Sequence, residues 1–354
     1  MPVANAGVEA SLDRSLQVRQ ITSRPEWDAA IEALDGSILQ SWRWGAFKSK
    51  HGWSATRLLV TLDGKPRIAA QVLDRPVGPM TVLYAPRGPA VAESDQPAVA
   101  ALTLAIDNLA SQRRAAIAFL EPDRTDLVLP DSGNLGWDVS SVELQPLRTI
   151  KVRVDRDDDE ILAGMKNKSR YNVRLAGRRG VSVRVADLSE IVDFYEVLEE
   201  TSHRDEFGIH SIEYYADMLD VFGDDAALLI AEYEGAIAAG AIVLRHGAEA
   251  IYMFGASSRE YQRHMPTHLL QFEAMRWARE HGCVWYDLWG IPPTDTPPDE
   301  ADGGELNVRS GLWGVYRFKQ GFGGEVVDYP GVFERQYYPR LINLWRRFRS
   351  GPGA

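Results

Sequence analysis

The sequence predicts an α/β (α+β) chain made of two tandem copies of one domain, and three observations carry that prediction. The first lies between Ala248 and Pro292, where the apolar run AIYMFGAS, the helical stretch THLLQFEAMRWAREHG and the apolar run CVWYDLWG follow one another. Two fully apolar runs joined by an amphipathic helix are what a βαβ unit in a parallel-type sheet needs, because helices cover both faces of such strands. The second is an internal echo: Leu58-Leu59-Val60-Thr61-Leu62-Asp63-Gly64 followed by Ile68-Ala69-Ala70 returns as Leu228-Leu229-Ile230-Ala231-Glu232-Tyr233-Glu234-Gly235 followed by Ile237-Ala238-Ala239. The third is size, since 354 residues that are 45% hydrophobic suggest two domains with real cores.

In chain order, residues 1–15 read as a flexible N-terminus and Pro25 to Leu34 as a short helix. Leu39-Gln40-Ser41-Trp42-Arg43-Trp44-Gly45-Ala46-Phe47-Lys48 places an aromatic anchor before a lysine. The first hairpin turns at Asp63-Gly64, an acidic-Gly pair suited to a tight turn. A strand at Thr81 to Ala85, a helix near Pro97 to Ser111 and a strand at Ala115 to Leu120 follow, ending at Glu121. The second copy repeats that order with its hairpin at Glu234-Gly235, a strand at Ala250 to Gly255, a helix at Pro266 to His281 and a strand at Cys283 to Leu288, which holds Asp287. This places the first domain at 16–155 and the second at 156–350.

The second domain opens with a basic helix at 160–179. Ala163 to Gly180 holds six basic residues and no acidic one, and Lys166, Arg170, Arg174 and Arg178 recur every four residues. A helix would line these along one face while Leu162, Met165, Val173 and Ala176 face inward. Such a stripe is either a solvated face or a track for a polyanion such as tRNA or a diphosphate lipid. Ser189 to Glu200 reads as an amphipathic helix, and the Arg-, His- and Tyr-rich stretch from Thr201 to Tyr215 reads as partly loop and suited to an anion. A mobile loop is expected at 292–308, where Pro292 to Glu305 holds four prolines and five acids. It runs into Gly311 to Gly324, rich in glycine and aromatics, as a lid would. The tail Trp345-Arg346-Arg347-Phe348-Arg349 either caps the domain or touches an anionic membrane surface.

Composition narrows the function. A net charge of −11 argues against a surface coated throughout in nucleic acid. The one cysteine, Cys283, sits in an apolar strand, which excludes a disulfide framework and favours an inert thiol. The N-terminus lacks the pattern of a signal peptide, and no run reaches the length of a membrane span, so a cytoplasmic protein is expected.

The segments LQSWRWGAFK, MKNKSRYNVRLAGRRGV, THLLQFEAMRWARE, YDLWGI and GVYRFKQGFGGEVVDYPG together resemble the FemABX family, the peptidoglycan interpeptide-bridge aminoacyltransferases, from about Leu39 onward. The resemblance implies two acetyltransferase-like (GNAT) domains in tandem, without the coiled-coil arm of some relatives, since no sustained heptad run exists here. It implies transfer of an amino acid from aminoacyl-tRNA, with no other cofactor, to the stem-peptide side-chain amine of a peptidoglycan precursor, lipid II or UDP-MurNAc-pentapeptide. Peripheral contact with the inner face of the membrane would suit that acceptor. The family's catalytic lysine falls on Lys319, just after Phe318, and its substrate-binding lysine on Lys48. The arginine and tyrosine that hold the precursor pyrophosphate match His210 and Tyr214. Because neutral His gives one donor where Arg gives a charged fork, Arg204 is a candidate to compensate. Tyr252, Phe254 and Phe318 complete the substrate-binding set, Glu121 matches the family's strand-end acid, and Lys166, Arg170, Arg174 and Arg178 are candidates for tRNA.

These residue types suit the chemistry. Aminolysis of an ester passes through a tetrahedral oxyanion, which a positioned ammonium such as Lys319 stabilises in a dry site. No Gly-x-Ser-x-Gly elbow, usable cysteine or Walker loop is present, so direct attack by the acceptor amine is preferred to a covalent enzyme. Glu121 is either the base for that amine or a structural acid, and Asp287 is taken as mainly structural. The turn Gln262-Arg263-His264-Met265-Pro266-Thr267 has no glycine, and with Thr267 as the expected helix cap it argues against an acyl-CoA pyrophosphate cradle. His264 and His268 have metal-ligand spacing, but Pro266 between them and the lack of a third ligand argue against a metal. An acyl-CoA-dependent N-acyltransferase and a non-catalytic precursor-binding protein are the alternatives.

Overall fold

The computed structural model describes residues 16–78, 80–129, 136–205, 207–294, 310–340 and 342. The expected flexible N-terminus, residues 295–308 of the expected mobile loop, and the Trp345 to Arg349 tail lie outside them.

In chain order the elements are β1 (Leu16–Gln20), α1 (Arg24–Ala33), α2 (Trp42–Lys50), β2 (Ser54–Leu62), β3 (Lys65–Val77), β4 (Met80–Ala85), β5 (Ala90–Val91), α3 (Gln96–Arg113), β6 (Ala115–Leu120), β7 (Asp138–Val139), β8 (Arg148–Arg153), α4 (Asp158–Gly164), α5 (Asn167–Arg178), β9 (Ser182–Ala186), α6 (Ile191–Asp205), α7 (Ile212–Phe222), β10 (Ala226–Tyr233), β11 (Ala236–His246), β12 (Glu249–Ser257), α8 (Pro266–Glu280), β13 (Trp285–Asp287), α9 (Ser310–Gln320), β14 (Glu325–Asp328) and β15 (Phe333–Gln336). They form two compact units. One comprises Met1–Trp42, Trp53–Ser140 and Val332–Ala354, the other Arg43–Gly52 and Ser141–Gly331. The units are therefore discontinuous where contiguous stretches 16–155 and 156–350 were expected. Almost all of α2, and with it Lys48, packs with the second unit, and β15 returns to the first.

The first unit is a sheet in the order β1-β2-β3-β4-β6-β15-β7, with β5 beside β3. The second is a sheet in the order β14-β8-β13-β12-β11-β10-β9. Both contain the expected repeat, since β2, β3, β4, α3 and β6 recur as β10, β11, β12, α8 and β13. Each hairpin turns on an acid and a glycine that both have positive φ, 52° and 75° at Asp63-Gly64 and 51° and 82° at Glu234-Gly235. Both central residues of a type I′ turn need that conformation, which matches the twist of the flanking strands. The expectation of a parallel-type sheet holds for only one pair in each unit, β4 with β6 and β12 with β13. The other pairings are antiparallel, and the two hairpin connections in each unit, β2-β3-β4 and β10-β11-β12, are among them.

The second unit's core sits between its sheet and α5 and α8, and includes Leu229, Ala241, Val243, Met275, Tyr286 and Phe322. The basic segment is two helices, not one. The chain is extended at Met165 and Lys166 (ψ 150° and 146°), so α4 ends and α5 begins anew with Lys166 as its N-cap. Leu162, Met165, Val173 and Ala176 are all buried as expected. The cap of α8 also differs: Met265, in the left-handed region at φ 59°, precedes Pro266, and no side chain caps the helix. Thr267 is inside the first turn and does not cap it. Among the described residues no helix is long and apolar enough to cross a membrane.

Candidate active site

The second unit brings most of the candidate residues together. Lys319 lies in the last turn of α9, and it is buried, with 6% of its surface exposed, where a lysine near a helix end is ordinarily solvated. Its Nζ donates to the carbonyl of Gly290 at 2.7 Å and to that of Trp289 at 3.2 Å. Both carbonyls belong to the turn after β13, where Trp289 takes a left-handed φ of 61°. Asp287, 1% exposed, holds this turn by accepting from the Trp289 amide at 2.6 Å and from the Thr149 hydroxyl. Burial pushes the Lys319 ammonium down to about 8, and the negative charge of Asp287 opposes that shift. At neutral pH the group is thus a desolvated ammonium with two of its three donors committed.

The glycine-rich segment after α9 sets this position. Gly323 and Gly324 have φ of 79° and 86°, and a Cβ on them would fall 2.3 Å from the Gly164 carbonyl oxygen and 2.4 Å from that of Lys151. Only glycine allows the chain to turn this closely against α4 and β8. The Lys166 amide donates to Gly321 at 2.9 Å and its Nζ to Gln320 at 3.2 Å, so α5 starts beside the residues that follow Lys319. Phe318 packs edge-on against His268 at 5.1 Å, and the Asn172 amide nitrogen meets Nε2 of that ring at 3.2 Å. Burial lowers His268 to about 4, and its partners are unrelated to those of His264, which stacks on Tyr233 at 3.9 Å.

Strand β12 connects these residues to a second cluster. The Tyr252 ring centre lies 6.0 Å from Lys319 Nζ, and burial raises its phenol to about 12. The β11–β12 register shifts between Ile242 and Val243, which pair with Phe254 and Tyr252, leaving Met253 as the extra residue of a bulge. Phe254 packs edge-on against Tyr215 at 4.9 Å and lies 6.4 Å from His210. His210 in turn stacks on Tyr214 at 3.8 Å and 20°. Lys48 Nζ reaches the Tyr214 hydroxyl at 3.4 Å and lies 5.4 Å from its ring centre.

Helix α2 presents Lys48 to this cluster because it is fastened to α7. Phe47 packs on Tyr214 at 4.7 Å, Lys50 bonds Asp217 at 2.6 Å, and Arg43 bonds the Val221 carbonyl at 3.2 Å. His51, which sequence reasoning passed over, also joins, 4.7 Å from the Tyr214 ring. The signal was its place three residues after Lys48, in the turn that directly follows α2. Burial raises Tyr214 to about 12. His210 has one face covered and lies near Lys48 and His51, so desolvation first and those positive charges second lower it below its ordinary 6.5.

Three expected members stand elsewhere. Arg204 forks onto Asp205 at 2.9 Å with both contacts and donates to Ser257 at 2.8 Å, and no bond among the described residues joins it to His210 or Tyr214. It braces the end of α6 against β12 and does not compensate for His210. Arg170 donates to the Leu162 and Ala163 carbonyls and to Asn167, capping α4, and so is held back from the basic stripe. Lys166, Arg174 and Arg178 are exposed. Glu121 lies in the first unit, fully buried at the end of β6, and accepts from the Tyr84 hydroxyl as Asp287 accepts from Thr149. At the α8 turn Pro266 has no N–H and the His268 amide is tied to the Met265 carbonyl, so few free amides remain for a pyrophosphate. Cys283 is buried, its thiol raised to about 11, and unsuited to nucleophilic work.

A profile of the FemAB family matches residues 25–127, 140–236 and 232–346. A lipid II:glycine glycyltransferase of Staphylococcus aureus is 26% identical over 87% of this chain and 90% of its own length. The crystal structure of FemX superposes with a TM-score of 0.80 at 25% identity, covering 93% of this chain and 99% of that one. A tandem GNAT protein from the clavulanic acid pathway shares the fold alone, with a TM-score of 0.52 at 12% identity over 91% of this chain and 98% of its own. The two units are thus GNAT-like domains in tandem, and the chain belongs to the FemAB family of transferases.

Proposed function

We propose that this protein transfers an amino acid from aminoacyl-tRNA to the stem-peptide side-chain amine of a peptidoglycan precursor, building an interpeptide bridge. The observation that carries the reading is the buried Lys319 ammonium, held by the Trp289 and Gly290 carbonyls with the Tyr252 ring 6.0 Å away. The Staphylococcus aureus relative is a lipid II:glycine glycyltransferase, which supports the acceptor class. In this reading the acceptor amine attacks the ester carbonyl, a C–N bond forms, and the ester C–O bond to the tRNA ribose breaks. The negative charge on the carbonyl oxygen is met by the remaining donor of Lys319, and the ribose hydroxyl leaves with a proton. Lys48, His210 and Tyr214 bind the precursor's phosphates, with Phe254 as an apolar wall. Glu121 is either the base or a structural acid: Glu121→Gln keeps an acceptor for Tyr84, so a fall in kcat without loss of folding supports the first role and an unchanged kcat the second.

The depleted amides at the α8 turn favour tRNA over acyl-CoA as donor. Purified protein supplied with charged tRNA and either lipid II or UDP-MurNAc-pentapeptide tests the proposal. Product that requires the tRNA supports it, and the better acceptor identifies the precursor form. Product that requires an acyl-CoA, or binding without turnover, overturns it. Action at the cytoplasmic face, with peripheral membrane contact, follows if the lipid-linked precursor is preferred.

A further inference from the structure

The basic helix α5 carries an aromatic residue that the candidate site does not use. Tyr171 is 55% exposed. A single exposed aromatic is ordinary. Its surroundings are not, because Arg174 and Arg178 follow it at three and seven residues, within about 60° of the same helical arc. The opposite arc is the buried one, formed by Ser169, Asn172, Val173 and Ala176. The Arg178 guanidinium lies 5.8 Å from the Tyr171 ring centre. The outermost ridge of α5 is therefore one ring followed by two cations, with no carboxylate on the helix.

The ridge also has a fixed relation to the reacting centre, since both belong to the second unit. The start of α5 is tied to Gln320 and Gly321, the residues just after Lys319. From there the helix runs twelve residues, about 18 Å, to Arg178. An acyl group held at Lys319 on a chain that leaves along α5 would pass phosphates to the arginines and an exposed ring to its bases.

We infer that Tyr171 stacks on an unpaired base of the donor's single-stranded 3′ end while Arg174 and Arg178 hold the flanking phosphates. Cations with an interleaved aromatic are the recurring platform for single strands, because every base offers a π face and the contact needs no sequence readout. A duplex offers phosphates but no free face, so only the unpaired end would feel the ring. This inference rests on aminoacyl-tRNA being the donor.

The test compares binding of intact tRNA with that of the same tRNA lacking its unpaired 3′ nucleotides. Tyr171→Ala should weaken binding of the intact tRNA by roughly 5- to 100-fold, leave the truncated tRNA bound as by wild type, and leave the salt slope unaltered. Tyr171→Trp should restore the affinity. Ala keeps helix propensity at an exposed position, so an unchanged melting temperature excludes misfolding. Equal binding of intact tRNA by wild type and Tyr171→Ala, or an equal loss on both tRNAs, overturns the stacking. If wild type transfers amino acid without binding tRNA, the donor assignment itself has failed, an outcome distinct from either.

Discussion

Lys319 Nζ lies 2.7 Å from the carbonyl oxygen of Gly290, a bond between the end of a helix and the turn after β13. It holds a charged group inside a site where burial makes every donor stronger. Lys319→Met keeps most of the unbranched side chain and removes the charge. It should lower kcat by roughly 10²-fold or more with precursor Kd nearly unchanged. Retained kcat with a raised KM would move Lys319 from chemistry to binding.

The same burial fixes a pH limit. Lys319 titrates at about 8, so the ammonium form is present below that pH and lost above it. The rate should therefore fall as pH rises through about 8. The charge of Asp287 raises that value against desolvation. Asp287→Asn should shift the alkaline limb to lower pH, and a limb that stays in place would separate Asp287 from the protonation of Lys319.

Lys48 meets Tyr214 only because α2 docks on α7. If this pair grips phosphate, Lys48→Ala should weaken precursor binding by roughly 10-fold or more, as for a charge-assisted bond. The difference should shrink at high salt as screening erodes the wild-type advantage, and tRNA affinity should hold. Calorimetry giving equal precursor Kd for both proteins would remove Lys48 from the site.

His210 stands below its ordinary 6.5 and is neutral at pH 7. An anion favours the protonated ring, so precursor affinity should rise as pH falls below 6.5. His210→Arg should tighten binding at pH 7 and flatten that dependence, because a guanidinium stays charged throughout. A steep pH dependence surviving in the Arg variant would place the titrating group elsewhere.

The arginines of α5 divide by their partners. Arg174→Gln with Arg178→Gln should reduce the slope of log affinity for tRNA against log salt by about one or two. Arg170→Gln should leave the slope alone and lower the melting temperature instead, since Arg170 caps α4. The reverse pattern would show that the stripe is a solvated face.

Much of this was legible in the sequence because it is local. A turn of an acid and a glycine, an apolar run of strand length and a helix with one apolar face are each set by neighbours a few residues apart, so the order of the duplicated elements could be read directly. Lys48, His210, Tyr214 and Lys319 were found through segment resemblance, and the structure brings the first three into one cluster. What the tertiary structure decided depends on partners distant in sequence. It joined residues 43–52 to the second unit and gave β15 to the first, since pairing depends on which edges meet. It buried Lys319, because the turn at Trp289 and Gly290 closes over it from thirty residues away. It broke the basic helix at Lys166 and turned Arg170 inward as a cap, where the four-residue spacing alone made all four cations equivalent. Arg204 likewise was taken up by Asp205 and Ser257. A charged side chain's role follows from what desolvates or pairs it, and that is a property of the fold, not of the residues beside it in the chain.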